Sequence, residues 1–265
     1  MSFFEKSANG GNFKKTEYLK LTPGTHTIRI IETEGKKYYQ HWFGGGVECL
    51  GDTCPQCKLN RQIVDDIGGD QQEAYREASK VEGFVARQAR GAVNVLDRTP
   101  IKICPKCQAE NRPANNVFSA ACTNCGQLIT EVNPTVTNNI KVFSRAASVF
   151  EQIDDLDKAV LDENKEPIGV TNFDINLHVV GNNTVPVPSD NRDEVTFSED
   201  ELYDLDTVAI NLTEEEMEKR MKGISFKEIY QARKSDVYDD ADETAVTPDK
   251  ELVTKIEGEV KDMFK

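Results

Sequence analysis

All seven cysteines of this 265-residue chain stand in metal-ligand spacing, and they fall into two sets. Cys104 and Cys107 form one Cys-x-x-Cys turn, and Cys122 and Cys125 form another fourteen residues further on. Two such turns can each present a pair of thiolates to one tetrahedral ion. Zinc suits four thiolates, and iron is the competitor. The other set is Cys49, Cys54 and Cys57, one ligand short of a closed site. His41, eight residues before Cys49, is the candidate fourth ligand; His26 and His178 are the other histidines. Both sets contain a Cys-Pro-x-Cys turn. Two structural zinc ions follow as the expected cofactors. A zinc with four protein ligands keeps no position for water or substrate, so these sites point to metal-stapled binding rather than to catalysis. No His-x-Glu accompanies the Cys-Pro-x-Cys turns as a zinc deaminase needs, and no Gly-x-x-x-x-Gly-Lys loop is present. The chain is expected not to be an enzyme.

A second chemistry lies in aromatic residues interleaved with cations. Lys36, Lys37, Tyr38, Tyr39, Trp42 and Phe43 crowd one segment; Arg87, Arg90, Arg98 and Lys102 follow, then Lys141, Phe143 and Arg145. Bases of a single strand stack on aromatic faces while guanidinium and ammonium groups hold phosphates, at ~1–3 kcal/mol per stacked base. Strand alternation divides the set. Tyr38 and Gln40 share a side with Trp42, while Tyr39 and Phe43 point the other way. Lys102, Lys106 and Arg112 put positive charge on the Cys104–Cys125 module, where they either meet phosphate or stay solvated.

The elements that position these groups read mainly as strands with a few helices. Residues 25–31, 36–43, 83–87, 91–96, 139–143 and 169–180 have strand character; on the last, Phe173, Ile175, Leu177 and Val179 share one side. Lys58–Lys80 reads as helix broken at Gly68-Gly69. Residues 146–159 read as a helix with Val149, Ile153, Leu156 and Val160 on one face, and two more helices fall near 213–221 and 225–232. Short strands in tandem predict a small Greek-key β-barrel, with the Cys104–Cys125 ribbon inserted over residues 101–130. Three regions result: a basic N-terminal arm over 1–20, a core over 21–232 holding the 41–57 metal site, and an acidic tail over 233–265. No apolar run reaches the ~20 residues a membrane span requires, and no membrane partner is expected.

Net charge is −14, unevenly spread. Residues 1–150 hold 19 Lys and Arg against 15 Asp and Glu, a net of +4, while residues 151–265 hold 13 against 31, a net of −18. A basic front and an acidic rear separate a polyanion-binding part from an acidic tail, although acidic surfaces also serve solubility alone. Within the tail, Leu252, Ile256, Val260 and Phe264 fall on one face of a final helix, a candidate partner-binding surface.

The order of these parts resembles the single-stranded DNA-binding, helix-destabilising protein family of T-even-type bacteriophages. His41-Trp-Phe-Gly-Gly-Gly-Val-Glu-Cys49 followed by Cys54-Pro-Gln-Cys57 looks like that family's His-Cys-Cys-Cys zinc site. Val85-Ala-Arg87-Gln-Ala-Arg90 is similar to its basic DNA-lining strand, and Ile140-Lys-Val-Phe143-Ser-Arg145 to the next, with Phe143 at an aromatic stacking position. The resemblance covers roughly residues 15–230. It implies an OB-fold with a zinc subdomain, binding of single-stranded DNA in replication, recombination and repair, and cytoplasm of an infected bacterial host. It also implies self-association through the arm, and replication partners for the acidic tail. The Cys104–Cys125 ribbon departs from the family's type member, and the arm lacks its basic motif. Two alternatives stay open: a zinc-ribbon transcription factor or RNA-polymerase-associated protein, and a metal-dependent hydrolase.

Overall fold

A computed structural model describes residues 16–239. Most of the 1–20 arm, the acidic tail from residue 240 onward, and Leu252, Ile256, Val260 and Phe264 lie outside the described residues. The chain divides into two units, Met1–Glu214 and Glu215–Lys265.

The first unit is built on one seven-stranded, antiparallel sheet. Its strands are β1 (Gly24–Ile30), β2 (Lys36–Trp42), β3 (Gly46–Glu48), β4 (Gln88–Asp97), β7 (Asn139–Ala146), β8 (Ile175–Val180) and β9 (Asn183–Pro188). The short pair β5 (Lys102–Ile103) and β6 (Glu110–Asn111) belongs to the inserted ribbon. Ten-residue β4 organises the sheet. One of its edges pairs with β7 from Arg90↔Ala146 to Asp97↔Asn139. Its other edge is shared: β2 takes Gln88 to Ala92, and β1 takes Val95 to Asp97. The remaining order is β3-β2 at one end and β1-β8-β9 at the other.

The expected closed barrel is not what forms. No ladder joins β7 to β9 among the described residues, and the sheet stays open. The helix α3 (Ala147–Ala159) occupies the gap, packing against β4, β7 and β9. Its Val149, Phe150 and Ile153 enter the main core with Ile28, Val93, Phe143, Phe173 and Leu177. Gly91 lets this helix approach, because a Cβ there would stand 2.4 Å from the Phe150 ring. Strand edges are covered by irregular pieces. Glu17–Leu19 pairs in parallel with β7 through Val142 N–H to Glu17 O and Leu19 N–H to Val142 O, at 2.8 and 2.9 Å. Ile210 does the same beside Val47 on β3.

The opposite sheet face carries a second core of Ile31, Tyr38, Ala92, Leu96, Ile140 and Val142, covered by Tyr203, Ala209 and their neighbours. Buried Asn94 holds that covering segment. Its amide donates to Tyr203 O (2.9 Å), and its Oδ1 accepts from Tyr203 N–H (3.1 Å). Alternation along β4 therefore decides which core each residue joins: Val93 and Val95 one, Ala92 and Leu96 the other.

The Gly68-Gly69 break separates α1 (Pro55–Ile67) from α2 (Gln71–Ala78). Both glycines have positive φ, 67° and 84°, and Asp70 then caps α2 by accepting from Gln72 N–H and Glu73 N–H. Strand β9 carries Pro186 and Pro188; among the described residues it pairs with β8 alone, the edge position where proline is tolerated. In the second unit, α4 (Glu214–Met221) and α5 (Phe226–Asp239) are joined by a tight turn. Ser225 and Glu228 form a reciprocal capping box at the start of α5. Arg233 pairs with Glu216 between the helices. Among the described residues no helix is long and apolar enough to cross a membrane.

Candidate metal centres and nucleic-acid interface

The structure draws His41, Cys49, Cys54 and Cys57 into one cluster, and Cys104, Cys107, Cys122 and Cys125 into another. In each, the ligand atoms lie within 4.8 Å of one another. In the first, His41 Nε2 is 3.4 Å from both Cys54 and Cys57 Sγ, and Cys49 Sγ is 3.5 Å from Cys57 Sγ. In the second, Cys104 to Cys125 and Cys107 to Cys122 each measure 3.6 Å. Zinc with bonds of ~2.3 Å to sulfur and ~2.0 Å to nitrogen would set tetrahedral edges of roughly 3.5–3.8 Å. Both clusters fit that edge length and neither is a disulfide. Either could hold one metal ion.

One sequence word, Cys-Pro-x-Cys, does two structural jobs. In the first site it opens α1: Pro55 sits at the first helical position, where its missing N–H is no loss. In the ribbon it makes a knuckle. Gln108 N–H returns to Cys104 O at 2.9 Å, and Gly126 N–H returns to Cys122 O at 2.9 Å. Gln108 and Gly126 occupy equivalent positions, both with positive φ, 58° and 71°. Around the four cysteines the buried cluster adds only Ile129, so a bound metal would take the place of a core there. Paired Ile101 and Thr135 close its base, and it contacts the sheet through Arg112 on Asp97 (2.7 Å) and Thr25 N–H to Asn116 Oδ1 (2.7 Å).

The first site has a polar support not anticipated from sequence. His41 Nδ1–H donates to Val85 O at 3.0 Å, which leaves Nε2 to face the thiols. Burial, together with nearby Arg87, holds His41 below its ordinary value, the neutral form a metal requires. Val85 is itself fixed by Asn60, through Asn60 Nδ2 to Val85 O (2.7 Å) and Val85 N–H to Asn60 Oδ1 (3.2 Å). Gln56 adds bonds to Asn60 and to Gly83 O. These side chains take the hydrogen bonds a ladder would need, so the strand expected at residues 83–87 does not form. The available signal was two polar residues four apart, Gln56 and Asn60, buried on the first turns of α1.

Burial, then the neighbouring cysteines, push Cys57 up to about 12. At Cys122 burial opposes ionisation, but the N–H groups of Asn124 and Cys125 with the Asn111 side chain outweigh it and bring the thiol down to about 6.

The cations and aromatics sort into three fates. One group converges. Tyr38, Trp42, Arg90 and Arg145 line a cavity of ≈ 280 Å³ together with Gln40 and Ser144. Tyr18, unforeseen from the sequence, joins them and hydrogen-bonds Val208 O at 3.2 Å. Trp42 is 58% exposed and offers a free face, whereas Tyr38 is buried with its hydroxyl on Ser144 Oγ. Arg90 lies opposite Tyr38 in the β2–β4 register. A second group stands on the other side of β2: Lys37 pairs with Asp154, and the Arg87 guanidinium lies 4.3 Å over the exposed Tyr39 ring.

The third group corrects expectation. Phe143 is 1% exposed and packs on Phe150 in the main core, so no base can stack on it. Its place in β7 opposite Val93 turns it to the helix-covered face. Arg98 is held at 3.1 Å by buried Asp174, which also binds Arg29 at 2.8 Å. Lys102 donates to Ile129 O and Thr130 O, and Lys141 is paired with Glu17. Lys36 bridges Glu48 and Asp206. These four cations serve internal partners.

No protein-family model matches the chain, and no curated protein matches it in sequence.

Proposed function

We propose that this chain is a non-enzymatic, single-stranded DNA-binding protein with two structural zinc ions. The observation that carries the proposal is the convergence of Trp42, Tyr38 and Tyr18 with Arg90 and Arg145 in one cleft on the sheet. Guanidinium groups release counterions from phosphates, and aromatic faces accept any base, a combination suited to sequence-tolerant single strands. The open antiparallel sheet, plugged by α3, is taken as an OB-type scaffold. Tyr39 and Arg87 offer a second aromatic and cationic platform beyond the strand. The resemblance to the phage family supports roles in replication, recombination and repair in the host cytoplasm, self-association through the arm, and replication partners for the tail. Four protein ligands around each ion leave zinc a staple: the first orders β2 and the 83–87 segment leading to Arg90, and the second orders the ribbon. A ribbon-centred transcription function is less well supported, because Lys102 and Arg112 are occupied within the protein.

Fluorescence anisotropy with labelled oligothymidine, across salt concentrations and against a duplex of equal length, tests the proposal. Tight, salt-sensitive binding that prefers the single strand is expected. Weak or duplex-preferring binding would overturn it.

A further inference from the structure

Most buried and half-buried cations of the first unit meet a carboxylate, and Lys102 donates to two backbone carbonyls; Arg90 and Arg145 differ. Arg29 and Arg98 share Asp174, Arg112 meets Asp97, Lys36 meets Glu48, and Lys141 meets Glu17. Arg90 and Arg145 meet no carboxylate among the described residues, and they line the same cavity. Arg90 Nε is buried and has no hydrogen-bond partner among the described residues. Burial and then the charge of Arg90 hold the Arg145 guanidinium below its ordinary value. Among the described residues no Asp or Glu lines the cavity. Two like charges kept together and partly desolvated without a counterion are unfavourable in the free protein, and a bound anion removes that cost.

The cavity is also small. At ≈ 280 Å³ it lies just under the ~300–1,000 Å³ typical of ligand sites, enough for one nucleotide rather than a run of them. Trp42 supplies an exposed aromatic face on one side. Tyr18 stands on another, brought there by the parallel pairing of Glu17–Leu19 with β7 and tied to Val208. Resting on the reading of this cleft as a nucleic-acid site, we propose that it is a self-sufficient single-nucleotide subsite. Arg90 and Arg145 hold one phosphate between them, and Trp42 with Tyr18 takes the attached base. The anchor recognises a phosphate group, whether it is free, on a mononucleotide or within a strand.

Thermal unfolding of the zinc-loaded full chain tests this, in chloride, in inorganic phosphate at matched ionic strength, with thymidine monophosphate, and with thymidine. Phosphate and the monophosphate are expected to raise the Tm, by about 3–6 °C at tenfold their Kd, while thymidine at the same concentration does not. Arg145→Gln is expected to lose the response and to start from a higher Tm in chloride. Trp42→Ala is expected to keep the phosphate response and lose the advantage of the monophosphate. Equal phosphate responses in wild type, Arg145→Gln and Arg90→Gln would mean a general salting effect and overturn the subsite. Broadening of the ³¹P signal of thymidine monophosphate by wild-type protein needs no variant; its absence at millimolar ligand would also overturn it. Phosphate and monophosphate binding without strand-selective oligothymidine binding would keep the subsite and remove the single-strand reading. Tight oligothymidine binding unchanged in both arginine variants would do the reverse.

Discussion

Phe143 shows how far residue type alone carries. An aromatic between Lys141 and Arg145 has the neighbours of a base-stacking residue, and β7 has the alternation to support it. What it lacks is exposure, because the position opposite Val93 faces α3. Phe143→Leu should therefore destabilise the protein by ~1–3 kcal/mol, within the range for reshaping a packed core. The folded variant should bind oligothymidine as wild type does. Chemical denaturation with parallel anisotropy measures both, and a loss of affinity without loss of stability would restore Phe143 to the binding surface. The arginines teach the same lesson in reverse. Arg90, Arg98 and Arg145 are indistinguishable as sequence, yet Asp174 holds Arg98 while the other two meet no carboxylate among the described residues.

At the level of elements, the ribbon is a module whose order depends on four thiolates. In the cluster around the four cysteines the one other buried apolar residue is Ile129. Cys107→Ser is expected to lower bound metal from two ions to one per chain and to release amide protection over residues 101–135. The protection of β4 and β8 should persist, since their cores do not include the ribbon. Metal analysis with hydrogen exchange reads both effects. Cooperative collapse of the whole sheet would show instead that the ribbon is part of the main folding unit. The first metal site differs, because its ligands come from β2, from the turn after β3 and from the start of α1. Losing that metal would free His41, and with it the Val85 segment that leads into β4.

For the molecule as a whole, the charge asymmetry matters most. The front half carries +4 and the rear −18. On the proposed reading, carboxylates of the tail, at high local concentration on the same chain, would compete with DNA for the arginine cleft. Deletion of residues 240–265 is expected to tighten oligothymidine binding at low salt, with the difference shrinking as salt rises and screens the competition. Anisotropy titrations at several salt concentrations measure this; identical affinities at low salt would remove the competitive role of the tail.

Residue spacing by itself determined the two metal clusters, because Cys-x-x-Cys turns are local and their ligand geometry follows from a few bonds. Most helices and the strands around Ile28, Tyr38, Val93, Val142 and Leu177 were legible for the same reason: periodicity is a short-range property. The break at Gly68-Gly69 was legible too. Tertiary structure alone decided that the sheet stays open around α3 and that Gln56 and Asn60 hold the 83–85 segment away from strand geometry. It also decided that Tyr18 reaches the cleft from more than a hundred residues away from Arg145. Above all it chose which cations are spent on carboxylates and which face the cavity. Those outcomes depend on long-range pairing and on which face of a strand another element covers, and no local pattern encodes either.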